Sequence, residues 1–282
     1  MQTLIRSSHQ EAYMNPVPLI DGSDGKIFLL VNYYPPPYAD VPAEIWLLVS
    51  ADEGATWTHP LNITSTTGKH ELGPGVGIQL RSGRLVAAVY DGAIFSDDHG
   101  KTWKPSDRAL GKPNETQVVE LADGNLILNR RDKGHRQILR SKDGGQTWSP
   151  PVPHVLLPDA DCQGSVLRYT RVIRGQSKNR LLFSNPVAGL QPDQIKESDP
   201  RGRFNITVRL SYDEGKTWPI GKVIRHGPGA YSSITVLPDG SIGVLYECGD
   251  RRNEYFDHYR KLVFARFNLE WLTDGKDHFD RN

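Results

Sequence analysis

The sequence predicts an all-β protein of the β-propeller class, and three observations lead there. An eight-residue pattern, S-x-D-x-G-x-T-W, occurs at Ser50, Ser96, Ser141 and Ser211. Around its copies lie glycine-containing turns, each opening an apolar run. No stretch of the 282 residues sustains the apolar period of a helix. From start to start the boxes are 46, 45 and 70 residues apart. A four-strand unit of roughly 40–45 residues is the size of one propeller blade.

Each box reads as a turn between two strands. Asp52, Asp98, Asp143 and Asp213 are expected to accept backbone N–H groups across their own turn. Gly54, Gly100, Gly145 and Gly215 suit the positive φ that a β-carbon disfavours. Trp57, Trp103, Trp148 and Trp218 each bring a large ring to bury. The second signal is SDGKIFLLVNYY, RSGRLVAAVY, ADGNLILNR and PDGSIGVLYE, where a turn with Gly precedes an apolar strand. Two hairpin turns per repeat make about four strands. Blades are expected to close near the four box tryptophans, with a fifth over about 222–272. One step back from Ser50 falls near residues 4–8, where IRSSHQEAY keeps only Ser8 and Tyr13 of a box. Residues 1–14 are therefore expected to be the remnant of an earlier blade, and KDHFDRN to belong to a tail at 273–282. The whole reads as a single domain, 1–282, without a linker.

Composition narrows the function. Lys+Arg number 34 and Asp+Glu 33, so a net charge of +1 gives no footprint for nucleic acid or a membrane surface. A small anionic substrate needs only a local cluster of arginines. Charged residues at 24% and aromatics at 9% are those of a globular chain. The two cysteines, Cys162 and Cys248, exclude a disulfide framework and a cysteine-based zinc site. One bridge or two buried free thiols stay open, and the compartment with them. The nine histidines show no metal-ligand spacing, no phosphate loop is present, and no cofactor is implied. No apolar run reaches the ~18–20 residues of a membrane span. MQTLIRSSHQ lacks the basic and apolar regions of a signal peptide, which at face value reads as cytoplasmic. An upstream segment would make the protein secreted or periplasmic. The oligomeric state is not legible.

The boxes are identified as Asp-box (BNR) repeats, and further segments resemble the sialidases of glycoside hydrolase family 33. These are NPVPLIDGSDGKIFLL, GPGVGIQLRSGRLV, NETQVVELADGNLILNRRD, CQGSVLRY, RFNITVRLSYDEGKTWP and GPGAYSSITVLPDGSIGVLYE, and the match covers roughly 15–272. The resemblance implies a six-bladed propeller, with five blades complete here and the first partial. It implies release of terminal sialic acid from a sialylated glycan, with retention, through a tyrosine nucleophile. This departs from the usual pair of carboxylates. Sialic acid carries a carboxylate at the reacting carbon and would repel an anionic nucleophile. A phenol avoids that repulsion but, with a pKa of about 10, needs an adjacent base.

Carried over by motif, the nucleophile is Tyr231 in GPGAYSS and its activating carboxylate is Glu115 in NETQVVEL. Arg131 in NRRD and Arg203 at the head of RFNITVRLS would hold the substrate carboxylate, a task suited to the planar guanidinium fork. Arg130 and Arg201 are their neighbouring rivals, and Arg209 is expected to be a decoy. Gln163 in CQGS would line the pocket, and Glu247 in VLYE would orient the first arginine of the clamp. That arginine belongs to an Arg-Ile-Pro tripeptide in the first blade, which does not occur in this sequence. The acid/base aspartate of the same blade has no counterpart either. Asp40 falls in a different blade, Val76 replaces a histidine, and Ser233 stands where aspartate is common. Missing acid help is worth typically about 10²–10⁴-fold, so activity is expected to be impaired. The missing motifs imply either a longer gene or a paralogue that has lost a blade. A non-catalytic sialic-acid-binding propeller and an Asp-box scaffold for protein partners are the alternatives.

Overall fold

Runs rich in apolar side chains, alternating in some strands and continuous in others such as Leu85–Val89, are stopped by turns and build the antiparallel strands of this chain. The structure is a computed structural model and describes residues 2–7, 11–36, 42–172, 177–187, 202–250 and 257–280. Ser8, Asp40 and Arg201, weighed above, lie outside the described residues. The chain divides into two compact units. The first is 1–120 with 124–130 and 139–151, and the second is 121–123 with 131–138 and 152–282.

In the first unit, β1 (Ala12–Ile20), β2 (Ile27–Tyr34), β3 (Glu44–Ser50) and β4 (Leu61–Asn62) form one sheet in chain order. A second holds β5 (Ile78–Gln79), β6 (Leu85–Val89), β7 (Gly92–Ser96) and β8 (Lys104–Pro105). The hairpin of β9 (Thr116–Glu120) and β10 (Leu126–Arg130) follows, with Arg130 opposite Thr116. The next hairpin, β11 (Lys133–Ser141) and β12 (Val152–Ala160), lies mostly in the second unit and sets Lys133 opposite Ala160.

The second unit continues with β13 (Ser165–Thr170), β14 (Arg180–Pro186), β15 (Phe204–Ser211), β16 (Ile220–Val236), β17 (Ile242–Cys248) and β18 (Lys261–Phe267), again in chain order. The 17-residue β16 serves two repeats. It pairs with β15 from Ile220 to Pro228 and with β17 from Gly229 to Val236. The repeat that begins there has three strands among the described residues.

The boxes fold as their chemistry requires, each linking the third strand of a repeat to the fourth. In the second box the Ser96 hydroxyl accepts the Gly100 N–H at 2.8 Å. Asp98 accepts the Thr102 N–H at 2.8 Å and the Thr102 hydroxyl at 2.6 Å. The other three boxes repeat this pattern. Gly100, at φ 78°, takes the left-handed conformation that the turn needs. Trp103 is 1% exposed and meets Phe28 edge-on at 6.2 Å, whereas Trp57 is only half-buried.

Two apolar clusters fill the first unit, one around Leu30, Ile45 and Trp103 and the other around Val86, Val118 and Leu128. One fills the second, around Leu182, Val208 and Val244. The stretch expected to be a tail is anchored within that unit. Buried Asp277 accepts from Arg180 Nε and Nη2, both at 2.8 Å, and Phe279 lies 5.7 Å from the ring of Tyr169. Cys162 and Cys248 are both buried and unbridged. No helix among the described residues is long and apolar enough to cross a membrane.

Candidate active site

A β-bulge presents Tyr231. The register of β16 against β17 shifts between Gly229, opposite Cys248, and Ser232, opposite Tyr246. Ala230 and Tyr231 thus share a place opposite Glu247, and a bulge of this kind re-aims side chains. The Tyr231 N–H donates instead to Glu247 Oε2 at 3.1 Å. Gly229 is required beside the bulge, because a β-carbon there would come within 2.7 Å of the Ile206 side chain. Glu247, expected beside an arginine of the opening blade, therefore supports the backbone that carries Tyr231.

Arg203 precedes β15 and is 3% exposed. Its Nη1 donates to the Tyr259 hydroxyl at 2.6 Å and its Nη2 to the Asp161 carbonyl at 2.7 Å. Its Cζ lies 6.0 Å from the centre of the Tyr231 ring. Its Nε is buried without a hydrogen-bond partner among the described residues. Burial works against the charge of Arg203, yet Cys162, Tyr259 and Tyr231 outweigh burial and the opposing Arg131, and its pKa is raised. Arg203 is thus a buried cation whose Nε is unsatisfied among the described residues, a costly arrangement.

Arg131 reaches the same place from the turn between β10 and β11, its Nε donating to Asp161 Oδ1 at 2.8 Å. Asp161 and Gln163 lie on the connection from β12 to β13. Gln163 is 3% exposed, and its Oε1 accepts the Ser232 N–H at 3.0 Å, one residue beyond Tyr231. This connection is locked by a fully buried ion pair. Asp159 Oδ2 accepts from Arg136 Nη1 at 2.8 Å and from the Asp132 N–H at 3.0 Å. Asp159 Oδ1 accepts the Cys162 N–H at 3.1 Å, and Arg136 Nη1 also donates to the Cys162 carbonyl at 2.8 Å.

The second unit therefore brings together Tyr231, Arg203, Arg131, Gln163 and Glu247. Of the rivals, Arg209 donates instead to Asn185 at 2.9 Å, and burial pulls its pKa down to about 10. Arg130 belongs to the first unit, where it is buried and donates to the Leu110 carbonyl at 2.9 Å. Glu115 is also a residue of the first unit, 4% exposed, at the entry to β9. The GPG segment before β5 packs closely there. A β-carbon on Gly73 would meet the Thr116 carbonyl at 1.9 Å, and one on Gly75 the Gln117 side-chain amide at 1.8 Å. Sequence reasoning passed over Asp159, Asp161, Arg136 and Tyr259. Only Asp-x-Asp ahead of CQGS hinted at a loop rich in hydrogen-bond acceptors. Among the described residues no cluster of three or more His, Cys, Asp or Glu is placed to hold a metal.

Known proteins resemble this chain in sequence and fold. The BNR repeat-like domain family matches residues 2–244. A sialidase of Micromonospora viridifaciens is 35% identical over 246 residues, covering 79% of this chain and 35% of that protein. A sialidase of Bacteroides fragilis is 32% identical over 225 residues, covering 73% of this chain and 39% of that protein. Among solved structures, the Hadza microbial sialidase Hz136 superposes with a TM-score of 0.78 at 29% identity, covering 93% of this chain and 54% of that one. The chain thus has an all-β fold of the sialidase type, and it spans little more than a third of the two curated relatives it matches.

Proposed function

This chain belongs to the BNR-repeat sialidase family, and from that premise we propose that it is an exo-α-sialidase-type glycoside hydrolase acting on terminal sialic acid of glycoconjugates. Residues 1–282 make one domain of the six-bladed type, with the first blade partial. The Tyr231 oxygen bonds the anomeric carbon as its proton passes to Glu115 and the bond to the aglycone oxygen breaks, that oxygen taking a proton from water; a second water then displaces Tyr231 and releases the sugar with retention. Arg131 and Arg203 hold the substrate carboxylate, with Gln163 lining the pocket and Glu247 supporting the bulge that carries Tyr231. The observation that supports this most is Arg203, a buried guanidinium whose Cζ lies 6.0 Å from the centre of the Tyr231 ring and which shares Asp161 with Arg131. A carboxylate at the reacting carbon is the ligand that such a cation would take.

A second reading has its own observation. The sequence has no Arg-Ile-Pro tripeptide and no counterpart of the acid/base aspartate. Without them natural glycans would be cleaved slowly, or bound and not cleaved, as a sialic-acid-binding lectin would. Proton NMR of the first product formed from a sialyl-oligosaccharide tests both readings. Retention predicts α-sialic acid before mutarotation. A first-formed β-anomer would rule out the tyrosine nucleophile. An anhydro-sugar would mean intramolecular transfer, and binding without product would support the lectin.

A further inference from the structure

Asp161 touches both arginines of the pocket, through different groups. Its carboxylate accepts from Arg131 Nε at 2.8 Å, and its backbone carbonyl accepts from Arg203 Nη2 at 2.7 Å. This takes an unusual backbone. Asp161 has φ 53°, the left-handed region that residues with a β-carbon enter only at a cost. Strain of this kind persists where the surroundings over-determine it, and here they do. On one side Ala160 is the last residue of β12 and pairs with Lys133. On the other, Cys162 is held by its N–H to Asp159 and by its carbonyl to Arg136, inside a fully buried ion pair. The peptide can therefore point its carbonyl to one guanidinium while the side chain turns to the other. Two like charges this close repel, and a carboxylate beside them offsets that repulsion.

We propose that Asp161 is the positioning residue of the anion clamp, fixing Arg131 with its carboxylate and Arg203 with its carbonyl. The inference rests on the sialidase-type reading of the pocket and deepens it. Tyr259 holds the other terminal nitrogen of Arg203, so that side chain is fixed at both ends of its fork. The Asp161 side chain is half exposed, so it meets the pocket from its rim.

The test separates the two contacts. Asp161→Gly keeps the left-handed backbone, and with it the carbonyl bond to Arg203, but deletes the carboxylate. Asp161→Asn tolerates the same backbone and keeps an acceptor oxygen for Arg131. Calorimetric titration of the full chain with free sialic acid and with its methyl ester reads the clamp directly. The wild type is expected to prefer the acid. Asp161→Gly is expected to lose about tenfold in affinity for the acid, the scale of one charged hydrogen bond, with the ester unchanged. Asp161→Asn is expected to recover most of the loss. Acid and ester falling together, or Asp161→Gly binding the acid as the wild type does, overturns the positioning role and leaves the sialidase-type reading intact. A folded wild type that does not distinguish acid from ester overturns that reading and this inference with it.

Discussion

The Asp-box turn at Ser96–Trp103 and the connection at Asp159–Gln163 are both held by a carboxylate, yet the two carboxylates find their partners differently. Asp98 bonds Ser96 and Thr102, all within seven residues of chain. Asp159 bonds Arg136 and the Asp132 backbone, 23 and 27 residues away. Local satisfaction makes a turn that can be copied four times and carries little function. Distant satisfaction makes a loop that exists only in the folded chain, and this loop touches Arg131, Arg203 and the backbone beside Tyr231.

The sharpest way to break that contrast is at the buried pair. Arg136→Met strands the Asp159 charge and should cost about 3–5 kcal/mol in urea unfolding. The double variant Arg136→Met with Asp159→Leu should recover much of the stability but not sialic-acid binding. If it binds as the wild type does, distant contacts do not position the loop. Within the boxes, Trp103→Ala should cost about 3–5 kcal/mol, and Trp57→Ala clearly less because its ring is half-buried. Equal losses would mean that burial does not set the role of each box.

At the site the balance reverses. Arg203→Met removes a buried cation whose Nε is unsatisfied among the described residues, so the melting temperature should hold or rise while affinity for sialic acid falls at least about tenfold. A large drop in stability would instead make Arg203 structural. The smallest effect belongs to the box carboxylates. Burial pushes Asp98 and Asp143 up, but hydrogen bonds from the Thr and Ser of their own turns outweigh it and hold both at about 2. A depressed carboxyl stabilises the fold above its unfolded value of about 3.8 and loses that contribution as pH falls through its folded value. Unfolding midpoints should therefore drop between pH about 4 and about 2, and Asp98→Asn should flatten the drop.

The same contrast explains what the sequence could reveal. The boxes and the glycine turns were legible because every group that makes them lies within one short stretch. Tyr231 and Arg203 were legible as members of motifs, and the structure brings them into one compact unit with Arg131. The shared strand β16 was less legible, since a 17-residue strand serving two sheets looks like two separate runs. Asp161 was legible only as an acceptor in Asp-x-Asp, not by what it binds. Its left-handed backbone and its bonds to residues 30 and 42 positions away follow from packing that no local pattern encodes.

The central claim is that a tyrosine does the chemistry in a pocket that this chain assembles. Turnover of a fluorogenic aryl sialoside by the wild type and by Tyr231→Phe tests it most directly, because an activated phenol leaving group needs little acid help. The account predicts turnover by the wild type that disappears in the variant, with both proteins equally folded. Turnover that survives Tyr231→Phe, or its absence from a well-folded wild type, would contradict it.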